Sequence, residues 1–162
     1  MIEEKLATLD LALPQPAKPA FDYVPVTIHR STAYVSGQLP KVDGEVHCTG
    51  KVGAEVSAAE AAEAARICVL QGLACLKAEL GNLGRVQRVL KVTGFVASAP
   101  GFNRQPEVID AASRLLVELF GEAGRHARSA VGVAELPRNA PVEIEMIVAI
   151  KDHSEAGHAR TL

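Results

Sequence analysis

Two hydrophobic rhythms alternate along the chain. From Tyr23 to Pro40, "YVPVTIHRSTAYVSGQLP" alternates apolar and polar positions, breaks at His29-Arg30-Ser31, and resumes at Ala33-Tyr34-Val35. That pattern predicts a β-hairpin whose second strand ends at Ser36-Gly37-Gln38. "KVDGEVHCTGKVG" then reads as a glycine-punctuated loop with room for a short strand. At Ser57 the period lengthens to that of a helix. Ser57-Ala58-Ala59-Glu60 has the spacing of a capping box, and Ala61, Ala65, Val69, Gly72 or Leu73, Leu76 and Leu80 share one face before Gly81. The small Ala61, Ala65 and Gly72 predict close approach to a sheet. "RVLKVTGFVAS" returns to strand alternation. A second helix is predicted to open at Gln105-Pro106, with Val108 or Ile109, Ala112, Leu115 or Leu116 and Leu119 as its stripe and Gly121 as its stop.

Two closing strands follow, AVGVAEL and VEIEMIVAI, separated by LPRNAP. Read as a plain antiparallel hairpin, they pair Ala134 with Glu143 and Arg128 with Ala149. Period two then sets Arg128, Ala130, Gly132, Ala134 and Glu143 on one face. On that ladder Arg128 and Glu143 stand roughly 20 Å apart, so they could cooperate only between subunits. The order ββ, helix, β, helix, ββ predicts an α+β domain with both long helices on one side of the sheet. The uncovered face, and apolar residues on both sides of VEIEMIVAI, predict a homo-oligomer in which bare faces pack together. Residues 1–20 read as a short acidic helix and a stiff Pro-rich connector, "LPQPAKPA". Residues 21–151 form the predicted domain, and 152–162 read as a tail.

Composition narrows the function classes. The 162 residues suffice for one domain with a real core, and 48% apolar with 22% charged residues is ordinary for a globular protein. A net charge of −2, no Trp and only 4% aromatics argue against nucleic acid as a partner. No apolar run approaches the roughly 18 residues of a spanning helix, and the acidic start lacks signal-peptide features, which predicts a cytoplasmic protein without a membrane partner. Cys48, Cys68 and Cys75 are an odd number without metal spacing, in keeping with reduced thiols. His29, His47, His153 and His158 form no ligand pair, so no metal is implied, and no glycine run has a phosphate-loop pattern.

The two embedded charges carry the candidate chemistry. A guanidinium at Arg128 matches both oxygens of a small carboxylate, fixing its orientation. Glu143 on the opposite wall of a cleft could hold and deprotonate a water. Ser129, Ala130 and Gly132 leave room for a compact ligand, and Tyr23 and Tyr34 could supply an aromatic wall. Each feature also has a plain reading: Arg128 as a surface ion-pair partner, Glu143 and Glu145 as the polar side of a strand, His126 as a structural residue, Cys68 and Cys75 as core fillers.

"YVSGQLP", "VLKVTGFVAS", "HARSAVGVAELP" and "VEIEMIVA", in that order, resemble the RidA/YjgF family, whose members are often labelled endoribonuclease L-PSP or translation initiation inhibitor. The similarity runs from about Tyr23 to Ile150, and the longer start and "GEAGRHARSAVGVAELP" look like a longer branch of it. The resemblance implies a chorismate-mutase-like α+β fold with a mixed sheet, assembled as a homotrimer with clefts between subunits. It implies hydrolysis of reactive 2-imino or enamine acids to 2-keto acids and ammonia, without a cofactor. Carried onto this chain, the carboxylate anchor is Arg128 and the water-handling group Glu143. Tyr23 and backbone near Gly37 and Ala130 line the cleft. Ala130 stands where Cys is common, and Asp110 stands near an expected Asn, where a carboxylate would repel a substrate acid unless paired or protonated. Two other readings stay open: a trimer that binds a small carboxylate without catalysis, and an endoribonuclease.

Overall fold

A computed structural model describes residues 1–151, and the expected tail, 152–162, lies outside the described residues together with His153 and His158. The acidic start forms α1 (Ile2–Thr8), which Lys5 ties down by donating from Nζ to Leu119 O at 2.9 Å. The Pro-rich stretch 11–19 has no regular structure, yet Leu11 and Leu13 pack against the core. The opening hairpin is β1 (Val26–His29) and β2 (Thr32–Gln38), turning through Arg30 at φ 52°. The glycine-punctuated loop holds a two-rung ribbon, β3 (Lys41–Val42) and β4 (Glu45–Val46).

The long helices begin and end where their capping chemistry directs. Helix α2 (Ala58–Leu80) opens at Ser57, whose Oγ accepts from Glu60 N–H at 3.2 Å while Glu60 Oε2 accepts from Ser57 N–H at 2.8 Å. That reciprocal pair satisfies two donors that the first turn would otherwise leave free. Strand β5 (Val86–Ala97) follows, then α3 (Gln105–Phe120) with Pro106 in its first turn. β6 (Ala127–Val133) and β7 (Val142–Ile150) follow. No helix among the described residues is long and apolar enough to cross a membrane.

The five-stranded sheet has the order β1-β2-β7-β5-β6 and is antiparallel except for β5 and β6, which run parallel. Both long helices cover one face, where Val35, Val92, Met146 and Val148 meet Leu73, Leu76, Ile109 and Leu116 in one core. Small residues set the spacing of these layers. A Cβ on Gly72 would fall 2.5 Å from Met146 Cε, and one on Gly94 would fall 2.5 Å from Ile109 Cδ1. On the opposite face Tyr34, Phe95, Val131 and Ile147 have no covering layer among the described residues, and Tyr34 and Val131 are 47% and 41% exposed.

The expected closing hairpin is absent. β6 and β7 are not neighbours, because β5 lies between them. The reason lies in the apolar content of the strands. Val142, Ile144, Met146, Val148 and Ile150 are all buried, which suits a central strand paired on both edges, by β2 and β5. β6, rich in small residues and with none of its residues buried, instead returns over α3 to the outer edge of β5 in a parallel crossover. The predicted pairs, Ala134 with Glu143 and Arg128 with Ala149, are therefore replaced. Arg128 stands opposite Val92, which stands opposite Met146. Glu143 stands opposite Phe95, which stands opposite Val131. Residues in register share a face, so Arg128 is on the helix-covered side and Glu143 on the bare side. The expectation that they share a face is incorrect.

Candidate active site

Glu143 occupies a prepared place on the bare face beside β2. Between Val35 and Gln38 the register of β2 against β7 shifts, and one extra residue of β2 makes a bulge. Gln38 holds that bulge from below: it is buried, and its Nε2 donates to Ser36 O at 3.1 Å and lies 3.2 Å from Ser36 Oγ. Gly37, at the bulge, lets the carboxylate of Glu143 lie directly on its backbone. A Cβ there would reach within 2.8 Å of Glu143 Cδ and overlap Oε1. The carboxylate faces a cavity of about 200 Å³ whose walls include Phe21, Tyr23, Gly37, Gln71 and Arg138. Tyr23 stays 54% exposed, at the open side.

The electrostatics of Glu143 suit proton transfer. Burial raises its pKa above the ordinary carboxylate range, and the charge of Glu145 raises it further. No cation or hydrogen-bond donor among the described residues offsets these effects. A carboxylate in this position holds a proton more readily than a solvated one, which is what a general base near neutral pH requires. Beneath it, Cys68 is fully buried, and burial together with the Glu143 charge pushes its thiol well above its usual pKa. Cys68 is thus an inert core thiol.

Arg128 sits on the other side of the sheet edge, against α3. Its Nη1 donates to Ser113 Oγ at 3.1 Å, its Nη2 donates to Pro106 O at 3.3 Å, and Asp110 Oδ1 lies 3.6 Å from Nη1. Asp110 makes a shorter contact, 2.8 Å, with Arg114 one turn along the helix. The plain expectation for Arg128, an ion-pair partner, is met in part, and the feared bare carboxylate at Asp110 is paired. Ala130 follows on the same face, opposite Gly94 and packed against the core.

Two groups of the expected residues therefore form within one chain. Glu143, Gly37 and Tyr23 gather around the cavity at the β2 bulge; Arg128, Asp110 and Ala130 gather on the helix side of β6. The structure does not bring the two groups together. Sequence reasoning missed Ser113, which sits one helical turn after Asp110 and faces the same arginine. It also missed the connector: Ala17, Lys18 and Pro19 reach across to wall the Glu143 cavity. The i, i+3 spacing of Asp110 and Ser113 was the available signal for the first. Nothing local in "LPQPAKPA" signals the second.

Comparisons with known proteins bear on this arrangement. Residues 3–149 match the family described as "YjgF/chorismate mutase-like, putative endoribonuclease". The protein TCP17 of Trypanosoma cruzi is 43% identical over 93% of this chain and 95% of its own length. A 2-iminobutanoate/2-iminopropanoate deaminase of Dermatophagoides farinae is 34% identical, over 93% of this chain and 100% of its own. A crystal structure of a protein of unknown function from Agrobacterium tumefaciens is 49% identical and superposes with a TM-score of 0.85, covering 92% of this chain and 91% of that one.

Proposed function

The chain belongs to the YjgF/chorismate mutase-like family, and from that premise we propose that it hydrolyses reactive 2-imino acids to 2-keto acids and ammonia in clefts between the subunits of a homotrimer. The observation that carries this reading is Glu143, a half-buried carboxylate without a cationic partner among the described residues, laid over Gly37 at the wall of a cavity. Burial of such a group costs stability in the folded state. Its placement fits an acid–base group.

The separation of Arg128 from Glu143 fits the assembly. They lie on opposite faces of one sheet, so a site using both must join two copies of the chain. The uncovered Tyr34, Phe95, Val131 and Ile147 offer an apolar surface for that contact. In the proposed site Arg128 of one subunit holds the substrate carboxylate while Glu143 of the next takes a proton from water. The oxygen of that water attacks the imine carbon, and the proton taken by Glu143 passes to the imine nitrogen. The resulting carbinolamine loses ammonia as its C–N bond breaks and its hydroxyl oxygen becomes the keto oxygen. Imines of this class are already labile, so positioning and one acid–base group are chemically sufficient.

The test is hydrolysis of 2-iminobutanoate and 2-iminopropanoate, generated in place from amino acids, by the wild-type protein, Arg128→Ala and Glu143→Gln. Loss of a robust activity in both variants is expected. A wild-type protein that binds keto acids yet leaves every imine unchanged would establish the carboxylate-binding trimer instead. The endoribonuclease in the family's description has little support from this chain, whose net charge of −2 and 4% aromatic content offer RNA neither a basic track nor a stacking platform.

A further inference from the structure

Behind Arg128 lies a hydrogen-bonded chain that the proposed chemistry does not use. His126 Nδ1 is 2.6 Å from Gly124 O, and its Nε2 is 2.9 Å from Ser113 Oγ, which in turn accepts from Arg128 Nη1 at 3.1 Å. A carbonyl can only accept, so Nδ1 carries the proton and donates to Gly124. In the neutral ring Nε2 is then an acceptor, and the Ser113 hydroxyl directs its proton there. That leaves the lone pairs of Ser113 for Arg128. Each group fixes the next.

We infer that Ser113 and His126 are positioning residues that hold the Arg128 guanidinium in the orientation that receives a substrate carboxylate. The inference rests on the reading of Arg128 as the carboxylate anchor. Nη1 is directed to Ser113 and toward Asp110, and one proton of Nη2 goes to Pro106 O. Nε donates to no group among the described residues, and it shares an edge of the guanidinium with Nη2. That Nε–Nη2 edge has the geometry of a two-pronged fork for a carboxylate. Without Ser113 the guanidinium could turn toward Asp110, and the free edge would turn with it.

The electrostatics around the ring agree with this arrangement. Burial lowers the His126 pKa, and the charge of Arg128 lowers it further, while the Gly124 carbonyl opposes both. The other charged groups lining this hollow are Asp110, Arg114 and Glu118 from α3 and Arg125 from the turn before β6. Because the Arg128 charge is one of the causes that lower the His126 pKa, a carboxylate that neutralises Arg128 removes that contribution. Linkage makes that coupling reciprocal.

The experiment measures binding of 2-oxobutanoate, an unreactive carboxylate, by calorimetry, with KM and kcat for 2-iminobutanoate in parallel. Ser113→Ala substitutes a better helix former, so the fold should be kept. The variant should weaken 2-oxobutanoate and raise KM about tenfold, in line with a lost hydrogen bond to a charged group, with kcat little changed. His126→Ala should do the same. His126→Gln should restore wild-type affinity, because its amide oxygen can take the Ser113 proton where Nε2 did. In the wild type, the NMR titration of His126 should move to higher pH when 2-oxobutanoate is added.

Wild-type affinity in Ser113→Ala, alongside lost affinity in Arg128→Ala, would overturn the inference and leave the proposed function standing. Binding that depends on Arg128, Ser113 and His126, with no imine turned over, would overturn the proposed reaction and leave the inference standing. Carboxylate affinity indifferent to Arg128→Ala would overturn both.

Discussion

Gly37→Ala tests whether the bulge exists to seat the Glu143 carboxylate. Gly37 does not have a positive φ, so alanine introduces no backbone strain there. Its new Cβ would overlap Oε1 of Glu143 and stand 2.8 Å from Cδ and 3.1 Å from Cγ. The obstructing atoms form the end of a flexible side chain beside a cavity, so the carboxylate swings away instead of forcing the strands apart. The stability cost is therefore small: less than the roughly 1–3 kcal/mol of overpacking a rigid core, and partly offset by the roughly 0.5 kcal/mol or more gained by removing a glycine from the unfolded chain. Catalysis should suffer far more. A catalytic group displaced by about 1 Å can lose on the order of a hundredfold in rate. Gly37→Ala is thus expected to melt within about 3 °C of wild type and lose about a hundredfold in kcat/KM for 2-iminobutanoate. The deciding assay is a double-mutant cycle with Glu143→Ala. If Gly37 acts through the carboxylate, adding Gly37→Ala to Glu143→Ala changes activity no further. Wild-type activity in Gly37→Ala, or two losses that multiply in the double variant, would refute the argument.

Other predictions follow from the same geometry. The folded-state pKa of Glu143 is raised, so its contribution is most favourable below the unfolded carboxyl value of about 4.3 and is lost as pH rises through the raised value. Glu143→Gln, which never ionises, should therefore melt above wild type at pH 7.5, with the gap closing toward pH 4; thermal scans at the two pH values would show a constant gap if the burial argument is wrong. On the bare face, Val131→Asp should convert the proposed trimer to monomers in light scattering and abolish imine hydrolysis, since a charge would be buried at the contact. A trimer that survives this change would place the subunit contact elsewhere.

The sequence disclosed local structure well because local structure follows from local chemistry. Ser57 and Glu60 start α2, Gly81 ends it, Pro106 opens α3, and the alternation of β5 and β7 marks which residues face the core. The order of strands in the sheet is different in kind. Alternation along β6 assigns Arg128, Ala130 and Gly132 to one side and Ser129 and Val131 to the other, but cannot say which side meets the helices. That parity is fixed by the partner strand. Once β5 is inserted between β6 and β7, Arg128 takes its face from Val92, and Glu143 takes the opposite face with Phe95. The short loop LPRNAP favoured a hairpin on closure entropy alone. The apolar content of β7, which needs partners on both edges and helices above, outweighed that preference. The correction also alters why a site must lie between subunits. A shared face would have required only that two distant charges reach each other along a ladder. Opposite faces of one sheet leave no route within a chain, so assembly becomes a condition of the proposed chemistry. The bare face that presents Glu143 is then the same face whose apolar residues demand a partner.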